Sequence, residues 1–153
     1  MPHAIYSAQV NAPLETLWSV MVDKAKNPGK YNTSVQDYQV LEEYADGLLR
    51  QMRNKGKLIK ERLTIDPVKY EIMHALVDHP IFVGRAFNAI LQPTEVNPSD
   101  PLILTYALDW QPHNDSAEAM EVEAAMQKEL NGVIKTAVFN TKNAAEQQAE
   151  PSQ

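Results

Sequence analysis

The sequence contains no cysteine, which excludes disulfides, thiolate catalysis and cysteine-ligated metals. Glycine is scarce, at five residues in 153, and no glycine-rich loop of the kind that cradles phosphates is present. No apolar run approaches the ~18 residues that a membrane-spanning helix needs, and Met1–Val10 lacks the apolar stretch of a signal peptide. Positive charge is also short. Lys and Arg number 14 against 20 Asp and Glu, a formal net charge of -6. Such a chain offers no concentrated cationic face to a nucleic-acid backbone or an anionic membrane. His3, His79 and His113 fall in terminal or turn-like segments without metal-ligand spacing. The expectation is a cytoplasmic protein with no cofactor, no metal, no nucleic-acid partner and no membrane insertion.

What the sequence does have is an ordinary globular composition, 44% hydrophobic and 22% charged, in a chain long enough to bury one core. A single domain is expected over residues 1–147. The Gln-, Ala-, Pro- and Ser-containing end, 148–153, reads as a disordered tail.

The periodicity changes twice along the chain. His3–Asn11 is short and β-compatible. Pro13 suits the first turn of a helix, where its missing N–H would lack a partner anyway. Leu14, Leu17, Trp18, Met21 and Val22 then follow at helical spacing, until Asn27-Pro28-Gly29 stops the run. From Val35 to Trp110 short alternating runs are separated by turn signals at Ala45-Asp46-Gly47, Lys55-Gly56, Asp66-Pro67, Asp78-His79-Pro80 and Pro93–Pro101, the pattern of a strand meander. The last element is a helix over 116–147, roughly 45 Å long. Its apolar stripe is Ala119, Val122, Met126, Leu130, Val133, Ile134, Ala137 and Ala144, and Asp115 with Glu118 resembles a capping box. A helix of that length needs a sheet to cover its stripe, so the fold class is α+β: a curved seven-stranded antiparallel sheet around a long C-terminal helix.

The opening segment VNAPLETLWSVMVDKAKNPGKY, a strand running into a helix with Leu17-Trp18, resembles the start of the SRPBCC superfamily, the START-like, birch-pollen-allergen-like helix-grip fold. The segments GLLRQMRNKGKLIKERLTIDP and PLILTYALDWQP resemble its AtaL-like branch. The resemblance covers nearly the whole chain in element order. It implies a cavity between sheet and helix for a lipid- or polyketide-like molecule, and in some members a cyclase or dehydratase activity. Its motifs specify a fold better than a reaction.

Strand alternation identifies candidate inward-facing polar residues. Ile59, Glu61, Leu63 and Ile65 share one face, as do Leu48, Arg50 and Met52. A two-residue hairpin at Lys55-Gly56 pairs Met52 with Ile59, Arg50 with Glu61 and Leu48 with Leu63, matching apolar residues and charges alike. A four-residue loop 66–69 pairs Glu61 with His74 and Leu63 with Ile72. A loop over 77–82 pairs His74 with Arg85 and Ile72 with Phe87. The resulting inward row reads Arg50, Glu61, His74, Arg85, and Phe87, Tyr106 and Trp110 are expected to line the same cavity. A carboxylate between a guanidinium and an imidazole can simply form a buried ion pair, can anchor a ligand, or can move protons. In the last case Glu61 and His74 are the catalytic candidates, with Arg50 or Arg85 holding a developing enolate oxygen.

Three function classes follow. The leading one is a binding module for a small, largely apolar molecule with a polar end, contacted by Arg50, Glu61, His74, Arg85, Phe87, Tyr106 and Trp110. The second is a polyketide cyclase- or dehydratase-type enzyme using the same cavity. The third is a protein-interaction module of the chaperone-modulating kind. A homodimer is compatible with all three.

Overall fold

A computed structural model describes residues 3–92 and 101–149. Strand β1 (His3–Val10) leads into helix α1 (Leu14–Lys26) and a 3-10 turn (Pro28–Lys30). Strands β2 (Val35–Tyr44), β3 (Gly47–Asn54), β4 (Lys57–Asp66), β5 (Glu71–Leu76), β6 (Phe82–Leu91) and β7 (Leu102–Pro112) follow, and helix α2 (Ala117–Ala149) closes the chain. The sheet order is β1-β7-β6-β5-β4-β3-β2, antiparallel at every pair. This is the expected architecture. Helix α2 runs two residues past Gln147, so 148–149 are helical; the remainder of the expected tail, 150–153, and the 93–100 part of the expected Pro93–Pro101 turn lie outside the described residues.

Strands β3 and β7 alternate cleanly because each has one face on the core. In β7, Leu102, Leu104, Tyr106, Leu108 and Trp110 are buried, and in β3 Leu48, Arg50 and Met52. The β3–β4 register is the expected one, with Arg50 opposite Glu61, Met52 opposite Ile59 and Leu48 opposite Leu63. Lys55 and Gly56 both take positive φ, 54° and 81°, as a two-residue hairpin turn whose twist matches its strands requires.

The next two turns depart from expectation. Asp66 remains in β4 while its side chain accepts the backbone N–H of Val68 and Lys69. Tyr70 turns to φ 55° and leaves the strand, meeting Trp18 edge-on at 5.5 Å between ring centroids. The four-residue loop therefore slides by one, and Glu61 pairs with Leu76 while His74 pairs with Leu63. That shift of two keeps His74 inward. At the β5–β6 turn, His79 Nδ1 accepts the backbone N–H of Ile81 and Phe82, and Phe82 is buried against Trp110. This fixes the parity of β6. Phe82, Gly84, Ala86, Asn88 and Ile90 point inward, so Arg85 pairs with Ala75 and Phe87 with Met73 on the convex face. The expected inward places of Arg85 and Phe87 are thus corrected: a one-residue slip turns every side chain of a strand over.

Helix α2 packs closest on β1, β7 and α1. Ser116, not Asp115, caps it, with its Oγ accepting the Ala119 N–H at 3.1 Å. Its buried stripe is Ala119, Leu130, Ile134, Val138, Thr141 and Ala145; Val133, expected on it, is 46% exposed.

Gly84 has φ 143°, and a Cβ there would lie 2.2 Å from the Asp109 carbonyl oxygen and 2.7 Å from Trp110 Cα. Both obstacles are backbone and cannot rotate away. Gly84→Ala is therefore expected to destabilise the protein by about 1–3 kcal/mol. Gly132→Ala, in α2 where an added Cβ meets nothing within 4 Å, should instead stabilise it by about 0.4–1 kcal/mol. Paired denaturation curves of the two variants measure the contrast.

Candidate functional site

The concave face carries one belt of polar side chains. Its anchor is Arg50, 6% exposed, beside Glu61, 9% exposed. Arg50 Nε and Nη2 both donate to Glu61 Oε1, at 3.3 and 2.9 Å, and Nη1 donates to the Ala25 carbonyl at 2.7 Å. Nη2 also lies 3.3 Å from His74 Nδ1. A guanidinium can only donate, so Nδ1 accepts and carries no proton. His74 Nε2–H then donates to Asn88 Oδ1 at 2.8 Å. The contacts alone define the neutral tautomer.

Electrostatics agrees with that assignment. His74 is pushed down to about 4, chiefly by burial and further by Arg50 and Lys24, against the opposing pull of Glu61 and its bond to Asn88. For Glu61, burial raises the pKa, but the Arg50 charge and hydrogen bonds outweigh it and hold the carboxyl below the usual range. The belt is charge-balanced: one cation, one anion and a neutral imidazole.

A second polar group joins the helices at the far end of this belt. Lys24 Nζ donates to the Ala137 carbonyl at 3.1 Å and to Thr141 Oγ1 at 3.2 Å, and lies 5.1 Å from the centroid of the Tyr106 ring. Thr141 Oγ1 donates to Ala137 O at 3.1 Å, so in its 2.7 Å contact with Tyr106 the tyrosine hydroxyl is the donor. Burial pushes Tyr106 up to about 12. Lys24 is lowered to about 8, by burial first and then by the Arg50 charge.

On the concave face Leu48, Leu63, Ile72, Ile90 and Leu104 are buried in one core with Leu17, Val20 and Met21 of α1. Ile59, Leu76 and Ala86 are partly exposed, as are His74 and Asn88, although Leu76 and Ala86 still pack against that core. Two surface clefts of about 560 and 570 Å³ flank the molecule. The first lies between the end of α1, the 3-10 turn and β2, and Tyr38 lines it; the second lies between the end of β7 and the start of α2.

Of the residues singled out in the sequence, the structure brings Arg50, Glu61 and His74 together, with Tyr106 further along the same face and Trp110 packed on Phe82. Arg85 and Phe87 stand apart from them on the convex face. Sequence reasoning missed Lys24, Thr141 and Tyr38, and it left the facing of Asn88 open. The phase of Asn88 was legible only through the inward Phe82, while Lys24 and Thr141 look like solvent-facing polar positions on their helices.

This sheet-and-helix arrangement is the helix-grip fold of START-like proteins. The Zhui aromatase/cyclase from Streptomyces sp. R1128 superposes with a TM-score of 0.76 at 17% identity, covering 97% of this chain and 95% of that one. The protein TTHA0849 from Thermus thermophilus gives 0.73 at 12% identity over 97% and 100%. A START superfamily protein from Mycobacterium smegmatis gives 0.67 at 16% identity over 95% and 98%. Among curated protein sequences none matches. The family model described as AtaL, acetylaranotin biosynthesis cluster protein L, matches residues 6–150, and the chain belongs to that family.

Two outcomes test the site's electrostatics. Glu61→Gln leaves a buried guanidinium without its counter-charge and should cost about 3–5 kcal/mol of stability, read as a lower denaturation midpoint. The pH dependence has two arms. The folded pKa of His74 lies below its ordinary 6.5, so the folded state binds fewer protons there, and stability present above pH 6.5 is lost as pH falls toward 4. Lys24 is also depressed, from 10.5 to about 8. The unfolded chain then binds more protons between pH 8 and 10.5, so this group makes stability rise over that interval. Lys24→Met should abolish the alkaline rise and leave the acid limb intact in melts across pH 4–10.5.

Proposed function

We propose that this chain holds a small, largely apolar molecule against the half-open part of the concave face, with the polar belt fixing its orientation. The observation that carries this reading is the incomplete burial of that face. Ile59, Leu76 and Ala86 stay partly exposed beside His74 and Asn88, while Leu48, Leu63, Ile72 and Leu104 on the same face are fully enclosed in the core. Apolar lining with a few placed polar groups is the usual composition of a ligand site. The family assignment and the fold likeness to an aromatase/cyclase and a START superfamily protein support the same class of ligand, a lipid- or polyketide-like molecule.

The belt favours holding over proton transfer. Glu61 is ion-paired and stays ionised, and both nitrogens of His74 are engaged by Arg50 and Asn88. A general base needs a free lone pair within reach of the substrate. His74 presents none unless the ligand breaks the Arg50–His74 contact, whereas Glu61 keeps Oε2 free of hydrogen bonds among the described residues while Arg50 holds it ionised through Oε1.

Native mass spectrometry of the protein purified from its own source should reveal a retained small molecule. Titration with an environment-sensitive apolar dye gives the residue-level test. Ile59→Asp should weaken binding at least tenfold, since a carboxylate would enter the apolar field, whereas Arg85→Met, on the convex face, should leave it unchanged. Equal binding by wild type and Ile59→Asp counts against this site.

A further inference from the structure

An antiparallel sheet with one face on the core commonly turns polar side chains to solvent on the other. Four adjacent strands here do not. Ile5, Ala107, Phe87 and Met73 are register partners in turn across β1, β7, β6 and β5, and they form one apolar row on the convex face. Ile5 is 70% exposed, and the other three are partly exposed. Further along the same face Ile103 pairs with Leu91, which is 59% exposed.

A charge stands on each flank of the row's middle. Arg85 lies two residues from Phe87 on one side, opposite Ala75, and Glu71 lies two residues from Met73 on the other, opposite Ala89. Arg85 faces Asp109 across the β6–β7 ladder, yet neither Arg85 nor Glu71 is in an ion pair among the described residues. Within one chain the two cannot meet, because four residues of strand hold them roughly 13 Å apart.

We infer that the convex face is a docking surface for a second copy of this chain, turned over about the row from Ile5 to Met73. That two-fold lays Phe87 on Phe87 and Met73 on Met73, and it exchanges the flanks. Arg85 of each copy then comes next to Glu71 of the other, offset by one strand spacing of about 4.8 Å, which an arginine stem spans. A two-fold contact makes each ion pair twice. Self-pairing follows because the two charges have opposite sign and stand at equal distances from an apolar axis. Four strands by about eight residues offer roughly 500 Å² per copy, less than the ~800 Å² per partner of a standard stable complex. The dimer is therefore a reversible one. Its face is the reverse of the one that carries Ile59, Leu76 and Ala86, so it does not depend on the ligand reading.

Sedimentation equilibrium of the full chain, from low-micromolar to submillimolar concentration, tests this surface. Wild type should pass from monomer to dimer, and the dimer should weaken several-fold in high salt, which screens exposed ion pairs. Phe87→Asp should weaken it about tenfold or more, because two carboxylates would then meet at the axis. The charge variants give a test that does not disturb the row. Arg85 is exposed and Glu71 partly so, and Arg85→Glu and Glu71→Arg should each weaken the dimer by setting like charges together. An equimolar mixture of these two variants should associate as tightly as wild type, because the mixed dimer again sets opposite charges together at both contacts. Wild type that stays monomeric throughout, a dimer indifferent to Phe87→Asp, or a mixture no tighter than either charge variant alone each overturns the assignment.

Discussion

A guanidinium buried in an aliphatic face is the constraint around which this molecule is arranged. Left alone, a charge at that depth would cost several kcal/mol, so every element that comes near Arg50 has to present something to it. Strand β4 supplies the Glu61 carboxylate, β5 supplies His74 Nδ1, and α1 supplies the Ala25 carbonyl. Ala25 lies in the last turn of α1, where carbonyls have no partner within the helix and where the helix dipole is negative. The same contact therefore satisfies an orphan carbonyl, places a cation at the favourable end of the dipole and ties the helix to the sheet. Lys24, one residue earlier, ties the helix to α2 through Ala137 and Thr141. Helix α1 is thus held to the sheet through Arg50 and to α2 through Lys24.

The position of α2 follows from the edges of the sheet. An unpaired edge strand invites pairing with other chains, and covering it with a helix is one remedy. The Gln127 side chain meets both the N–H and the carbonyl of His3, and Glu146 Oε2 accepts the Asn11 N–H, so α2 runs along the outer side of β1 from one end to the other. The opposite edge, β2, is handled differently, by irregularities in its pairing and by Asp37 at φ 53°. With α2 committed to the β1 and β7 side, the concave surface of β4 to β6 keeps less cover. The partial exposure of Ile59, Leu76 and Ala86 follows from where the helix lies.

How much of this was legible in the sequence depended on the turns. At Lys55-Gly56 the turn chemistry admits one solution, and apolar and charged pairs agreed with it, so the Arg50–Glu61 register could be read directly. At Asp66–Tyr70 the loop length was right but its position was not, because Tyr70 leaves the strand to pack on Trp18, a tertiary contact with no local signature. The slip was two residues and therefore harmless to facing. At the β5–β6 turn His79 acts as a side-chain cap for Ile81 and Phe82, which the identity of a histidine does not announce. There the slip was one residue, and Arg85 and Phe87 changed faces. Local rules read strands well, whereas the phase between strands is carried by whichever large side chain the core claims, here Phe82.

The distribution of satisfied and unsatisfied groups along the belt bears on what kind of protein this is. In its middle both nitrogens of His74 are engaged and the Arg50 and Glu61 charges cancel, while Glu61 Oε2 takes no hydrogen bond among the described residues. A site built for proton transfer on a substrate would leave its acid or base open and its pKa near the working pH, but His74 is neutral well above about 4 and Glu61 is held ionised. The Arg50–Glu61 joint is thus first a structural one: it satisfies a buried guanidinium and ties β3 to β4 and to the end of α1, and it leaves Glu61 Oε2 with hydrogen-bonding capacity unspent among the described residues.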